Sequence, residues 1–430
     1  MLDFATSQRA PMPAPASVDG VVRDWVRSQA FNLETTARAL APFAQNAFGD
    51  GPAAPTPAQI DGANALIAEL DARLSGFAAE VGRTGGDAVA RARLAQTVKG
   101  RAHRTADAAE KIWNFYYEIF SQRQAFFADK LLAADRIAKD CYQAVYLNLG
   151  RARRIPSPPP LAYINTGFGA ATFRRGVKLT ALGRRPNPFP LVVMPPTRLS
   201  EPWTLGAIPH EVGHNIHSDL GLWTKIRRQV GQDLIRAGFS QGTAATFSRW
   251  SKEIVADLIG VLLIGPSYVR SLMDVVGNDW LRTSFFTTGA VHPTPLVRVP
   301  LNAVLVARLG FTAEGDALLA AWRAMYPPSL DGALPTPLAR EFLRATDQVI
   351  ETIVFTPYAE LGGQSFAETT TFDAESQKMA LEAAERLARG ETTGILPSRF
   401  LIAAARLAFD RRLAPPGAIT RNFYDALIRR

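Results

Sequence analysis

The sequence predicts a mainly α protein of the α+β class, in which helical regions at both ends flank a middle segment with a small β-sheet. Three observations carry this. Before residue 150 apolar residues recur at helical spacing, as in Leu66, Leu70 and Leu74 and again in Ile112, Tyr116, Ile119 and Phe120, and strand-like alternation is absent. Pro156, Pro158, Pro159 and Pro160 break that pattern. From Tyr163 to Arg198 the chain carries Gly, Thr, Val and Pro between short apolar runs, and helical patterning returns from Trp203.

Taken in order, residues 1–17 are rich in Pro and Ala and are expected to be disordered. A helical N-terminal domain spans 18–150, and 151–161 reads as a Pro-rich linker. A central domain follows at 162–310. Within it Leu191 to Met194 reads as a strand, and Ala171 to Leu182 as a hairpin or an irregular piece of sheet. A helical C-terminal region covers 311–430, with amphipathic helices expected over Asp373 to Arg389, Arg399 to Arg411 and Ile419 to Ile428. No repeat of fixed period is present.

Of the 430 residues 47% are hydrophobic and 20% charged, an ordinary globular balance in a chain long enough for a large core. The nearest approach to a membrane span, Ile254 to Tyr268, is interrupted by Asp257, Gly260, Gly265 and Pro266, so none is expected. The first residues do not follow a signal-peptide pattern. A lone cysteine, Cys141, precludes an internal disulfide and suits a reducing compartment, so a cytoplasmic location is expected. Cys141 lies in a helical pattern beside Tyr142 and Val145 and reads as a packing residue. The net charge of +9 comes from scattered arginines with short clusters such as Arg151, Arg153 and Arg154; no basic run interleaves with aromatics, and no specific nucleic-acid partner is expected.

The informative segment is Pro209-His210-Glu211-Val212-Gly213-His214-Asn215-Ile216-His217. On a helix, with His210 at the origin, His214 falls at about 40° and Glu211 at about 100°, while Ile208, Val212 and Ile216 occupy roughly 160° to 240°. One face is therefore apolar, and the other presents two imidazoles one turn apart with a carboxylate beside them. Pro209 fits if it stands in the first turn; otherwise the helix must kink there. A catalytic zinc takes three protein ligands and leaves a position for water. Glu253 is assigned as the third ligand: on a helix it shares a face with Ala256, Asp257 and Gly260, and the two small residues allow close approach to a neighbouring helix. Asp257, one turn on, can accept the free ring N–H of a liganding histidine. His217 falls at about 340°, on the ligand face but about 10 Å along the axis from His210, too far for easy shared ligation. It reads as a residue that supports a ligand or ends the helix.

These residues resemble the gluzincin metallopeptidases, and among them the group that includes the CAAX prenyl-protein endopeptidases and the bacterial heat-shock membrane metalloprotease. The resemblance rests on His210-Glu211-x-x-His214, on Glu253-x-x-Ala256-Asp257, and on His292-Pro293 followed by Arg298, and covers about residues 190–305. That group usually carries transmembrane helices, which this chain lacks. The resemblance implies a zincin-like core, one zinc ion, a peptide or protein substrate extended along an edge strand at Leu191 to Met194, and Glu211 as general base. It also places His292 near the site, to steady the oxyanion or a substrate carbonyl; alternatively His292 caps the turn before Pro293. Tyr268, expected in the loop after the Glu253 helix, is the second choice as oxyanion donor. Arg298 would orient an acidic neighbour such as Asp257 or simply cover surface. Control by burial, by a regulatory partner or by proteolysis is expected of such an enzyme. The competing expectation is a non-catalytic regulatory or binding protein on a zincin scaffold, which would have no need of Glu211.

Overall fold

The computed structural model describes residues 17–83, 87–167, 169–326 and 333–429, and they are mainly helical with a small sheet. The expected disordered stretch 1–17 lies outside them except for Ser17. The helices, in chain order, are α1 (Val18–Ala39), α2 (Pro57–Gly82), α3 (Ala88–Ser121), α4 (Ala128–Tyr146), α5 (Ala207–Asp219), α6 (Trp223–Arg236), α7 (Gln241–Ile264), α8 (Pro266–Val276), α9 (Trp280–Ser284), α10 (Pro295–Arg308), α11 (Thr312–Met325), α12 (Thr336–Ile350), α13 (Phe366–Thr369), α14 (Ala374–Arg389), α15 (Phe400–Asp410) and α16 (Pro416–Ile428). The strands are β1 (Leu161–Ile164), β2 (Ala171–Phe173), β3 (Lys178–Leu179), β4 (Arg185–Pro186) and β5 (Leu191–Met194). The three C-terminal helices stand where the sequence places them.

The chain divides into two compact units. The smaller comprises the residues before Gln45 together with Ala63–Tyr117 and Thr180–Arg185; the larger comprises Gln45–Gly62, Glu118–Leu179 and everything from Pro186 onward. The expected helical domain 18–150 is thus split, because α4 belongs to the larger unit. There Leu131, Ile137, Cys141, Tyr142 and Val145 join the same apolar core as Ile208, Val212 and Ile216 of α5. Cys141 is buried in it, and burial pushes its thiol up, as expected of a packing residue. The smaller unit has its own core around Val26, Leu33, Val81 and Val98. Its second helix buries Ala63, Ile67, Leu70 and Leu74, so Ile67 takes the inward place expected for Leu66.

The larger unit is a layer of helices on a three-stranded sheet of order β1–β5–β2, with β1 parallel and β2 antiparallel to β5. β5 is therefore the central strand, which corrects the expectation that Leu191 to Met194 forms the sheet edge. The reason is local: all four residues are apolar and all are buried, as in a strand covered on both faces. Of the two true edges, β1 is closed by side chains. Gln122 bonds both the N–H and the C=O of Ile164, Asp135 accepts the Ala162 N–H at 2.7 Å, and Arg123 donates to the Ala162 carbonyl. β3 and β4 form a separate two-stranded ladder, so 171–182 holds pieces of two sheets.

α7 runs through the middle of the larger unit, and every residue from Glu253 to Ile264 is buried. The apolar run that most resembled a membrane segment, Ile254 to Tyr268, is the end of this helix and the first turn of α8; among the described residues no helix is long and apolar enough to cross a membrane. α5 packs along it at very short range. A Cβ added to Gly213 would lie 2.9 Å from the Ala256 Cα and 3.1 Å from its carbonyl oxygen, closer than packed carbons come. Gly231, in the middle of α6, has room: its added Cβ would meet Ser248 at 3.5 Å. Gly213→Ala should therefore cost about 1–3 kcal/mol by overpacking, whereas Gly231→Ala should gain about 0.5–1 kcal/mol from helix propensity. Urea unfolding of the two variants checks this, and equal midpoints would contradict the close approach.

Candidate metal centre

α5 starts at Ala207, so Pro209 lies in its first turn and no kink is needed; the missing N–H falls where a helix has no acceptor to offer. The facing is as the spacing requires: Ile208, Val212 and Ile216 are fully buried, while the His210 and His214 side chains keep 12% and 11% of their surface open on the other face. α7 presents Glu253 to them. Its Oε2 lies 3.6 Å from His210 Nε2 and 3.5 Å from His214 Nε2, and one ligand atom from each of the three lies within 4.8 Å of the others. Ligands about 2.0–2.1 Å from a tetrahedral centre stand roughly 3.3 Å apart. Two imidazole nitrogens and one carboxylate oxygen at these separations could hold a single divalent ion.

Behind His210 lies a buried chain of charge. Asp257 Oδ1 is 2.8 Å from His210 Nδ1, which fixes the ring so that Nε2 faces Glu253. Arg298 clamps Asp257 with both ends of its fork, Nε to Oδ2 at 2.9 Å and Nη2 to Oδ1 at 2.6 Å. Of the two alternatives for Arg298, the structure has the acidic neighbour. Asn302, one turn further along α10, donates to the Arg298 carbonyl at 2.8 Å and to Asp257 Oδ2 at 3.4 Å. Sequence reasoning missed it, although its spacing of four from Arg298 was a usable signal. Burial alone would drive the proton off His210, but hydrogen bonds to Asp257 and Glu253 outweigh it and hold its pKa up at about 10. Burial likewise opposes the charge on both carboxylates. The imidazoles keep Glu253, and Arg298 with His210 keeps Asp257, well below the usual carboxylate range. Without a metal the surroundings thus favour a proton on His210, which a bound ion would displace. The buried Nδ1 of His214 has no partner among the described residues.

Tyr268 is not in a loop. It lies in the first turn of α8, fully inside the protein, and donates its hydroxyl to Asp257 Oδ1 at 2.7 Å while standing 3.2 Å from His210 Nδ1. It therefore serves the far side of the imidazole from Glu253, which corrects its assignment as an oxyanion donor. Gly260 admits it: a Cβ there would fall inside the Tyr268 ring. The two small residues of α7 thus have different jobs, Ala256 meeting α5 and Gly260 meeting α8.

In front of the histidines a cleft of about 410 Å³ is bordered by Glu211, His292, Arg174, Trp223 and Lys252, and by Ala171 and Thr172 of β2. Glu211 is buried, and burial pushes its carboxyl up against the pull of His210 and His214. His292 reaches the site from the segment before α10, with two thirds of its side chain exposed and Nε2 3.4 Å from Glu253 Oε1. Burial lowers its pKa. His217 is buried with its ring tilted against Trp223 at 5.2 Å and is not among the convergent ligands, and burial pushes its pKa down to about 3. Arg174, Trp223 and Lys252 belong to no motif and were not foreseen.

Arg298→Met would leave the Asp257 carboxylate buried without its cation, at a cost of about 3–5 kcal/mol. Pairing it with Asp257→Asn removes the orphaned charge, so the double variant should be more stable than Arg298→Met alone. Denaturant unfolding of the set measures both, and independent, additive losses would contradict the pairing. Comparisons with protein-family models, curated proteins and solved structures returned no match for this chain.

Proposed function

We propose that this chain is a zinc-dependent peptidase of the gluzincin kind, built on a zincin-like core. The observation that carries the proposal is the meeting of His210, His214 and Glu253 from two separate helices, with Glu211 beside them at the wall of one cleft. The donor set, two nitrogens and one carboxylate oxygen, suits zinc and leaves room for water.

Bound there, zinc would supply Lewis acidity and lower the pKa of water at the site. The chain's own residues do the rest. Glu211 takes the proton of the attacking water and returns it to the leaving amine. Asp257, anchored by Arg298 and Tyr268, keeps the His210 ring turned toward Glu253. His292, whose Nε2 stands 3.4 Å from Glu253 Oε1 at the rim of the site, donates to the oxyanion in this reading. The substrate backbone lies along β2, whose Ala171 and Thr172 border the cleft.

The test is Glu211→Gln. The variant should bind zinc stoichiometrically and lose about a hundred- to ten-thousand-fold in kcat/KM on a mixed peptide library. Chelation of the wild-type protein should abolish turnover and added zinc should restore it. Full activity in Glu211→Gln would reject the assignment, and a wild-type protein that holds zinc without cleaving any peptide would favour a regulatory or binding role for the scaffold.

A further inference from the structure

Arg174 follows directly on β2 and stands at the cleft wall. Its guanidinium lies 3.9 Å over the Trp223 ring, and among the described residues its hydrogen bond runs from Nη1 to Ser218 Oγ at 3.2 Å. Among the described residues no carboxylate comes within 4.0 Å of it. Its neighbour Arg175 shows the contrast: that side chain is spent on Asp219 at 3.6 Å and on the carbonyls of Ser157, Pro158 and Pro188. The third arginine of the region, Arg298, is spent on Asp257. Lys252 stands on the same tryptophan, its Nζ 5.7 Å from the ring centroid and 3.6 Å from Glu253 Oε1.

We infer that this wall of the cleft binds a carboxylate of the substrate, with Arg174 as its fork and Lys252 as a second, nearby positive charge. The inference rests on the peptidase reading for the kind of molecule that carries the carboxylate. The Trp223 ring at 3.9 Å and the Nη1 bond to Ser218 restrict the guanidinium, so less freedom is lost when an anion docks on Nε and Nη2. A planar fork with two parallel donors matches a carboxylate. Arg174 is also half-buried, and burial weakens its hold on the proton. Asp219 answers its charge only from beyond 4.0 Å, so the partly desolvated cation is incompletely paired, and an arriving carboxylate in direct contact removes that cost. The carboxylate can belong to a Glu or Asp side chain or to the C-terminus of the substrate.

The experiment uses the full chain with zinc and end-blocked octapeptides in which one Glu is moved through each position, each matched to its Gln counterpart, plus one peptide as free acid and as amide. Two quantities are read: kcat/KM for the wild type, and Kd in the Glu211→Gln background from tryptophan fluorescence. At one register, or for the free acid, the charged peptide should be favoured about tenfold, the worth of a charge-assisted hydrogen bond. Arg174→Gln should bring that ratio to about one, and Arg174→Lys, which keeps the charge but not the fork, should leave it between. A role confined to packing would not move the ratio. A preference at an internal Glu assigns the site to a side chain, and a preference for the free acid alone assigns it to the chain end. Equal Kd for every pair, or a preference that survives Arg174→Gln, overturns the inference. A charge preference in Kd without any hydrolysis would remove the peptidase reading and leave this site standing; hydrolysis without a preference would do the reverse.

Discussion

The larger unit depends on how closely α5 and α7 approach each other. Gly213 on one meets Ala256 on the other with no room for a Cβ, and both lie beside the convergent groups: Gly213 between His210 and His214, Ala256 between Glu253 and Asp257. Widening that gap by one methyl group would move Glu253 away from both imidazoles at once. Packed interiors transmit such a displacement rather than absorb it, so a change in apolar volume becomes a change in the geometry of the polar cluster.

The second constraint is charge. From α10 inward the order is Arg298, Asp257, His210, Glu253, positive and negative in turn, with Tyr268 and Asn302 taking up remaining positions on Asp257. A buried carboxylate without a partner is costly, and each member of this row is satisfied by the next. The row explains why α8 and α10 pack where they do: one brings the phenol, the other the guanidinium and amide. It also leaves Glu253 and the His210 Nε2 at the end facing the cleft, where a metal ion would take the place of the His210 proton.

The opposite wall follows another rule. There Trp223 collects three neighbours, the ring of His217 and the cations Arg174 and Lys252, and of these only Lys252 touches the buried row, with Nζ 3.6 Å from Glu253 Oε1. The cleft is thus built from one side that is closed upon itself and one side where, among the described residues, Arg174 has no carboxylate within 4.0 Å. The sheet contributes in the same sense, since the outer edge of β1 is sealed by Gln122, Arg123 and Asp135, while β2 borders the cleft.

Much of this was legible from spacing alone. The period of the helix sets which residues share a face, so the inward Ile208, Val212 and Ile216, the paired imidazoles, and the common face of Glu253 and Asp257 follow from the order of residues without any long-range information. The mainly α class and the three C-terminal helices follow from the same periodicity. What the order of residues could not decide were matters of partner. β5 is central because β1 and β2 both pair with it, α4 leaves the N-terminal helices because its apolar face meets α5, and the Tyr268 hydroxyl turns to Asp257 because Gly260 gives its ring a place. Arg174, Trp223 and Lys252 come from three segments with no shared pattern. A helix face is set within one turn of chain, whereas pairing, sheet order and the direction of a buried hydroxyl depend on which distant surfaces exclude water together, and only the folded chain makes that choice.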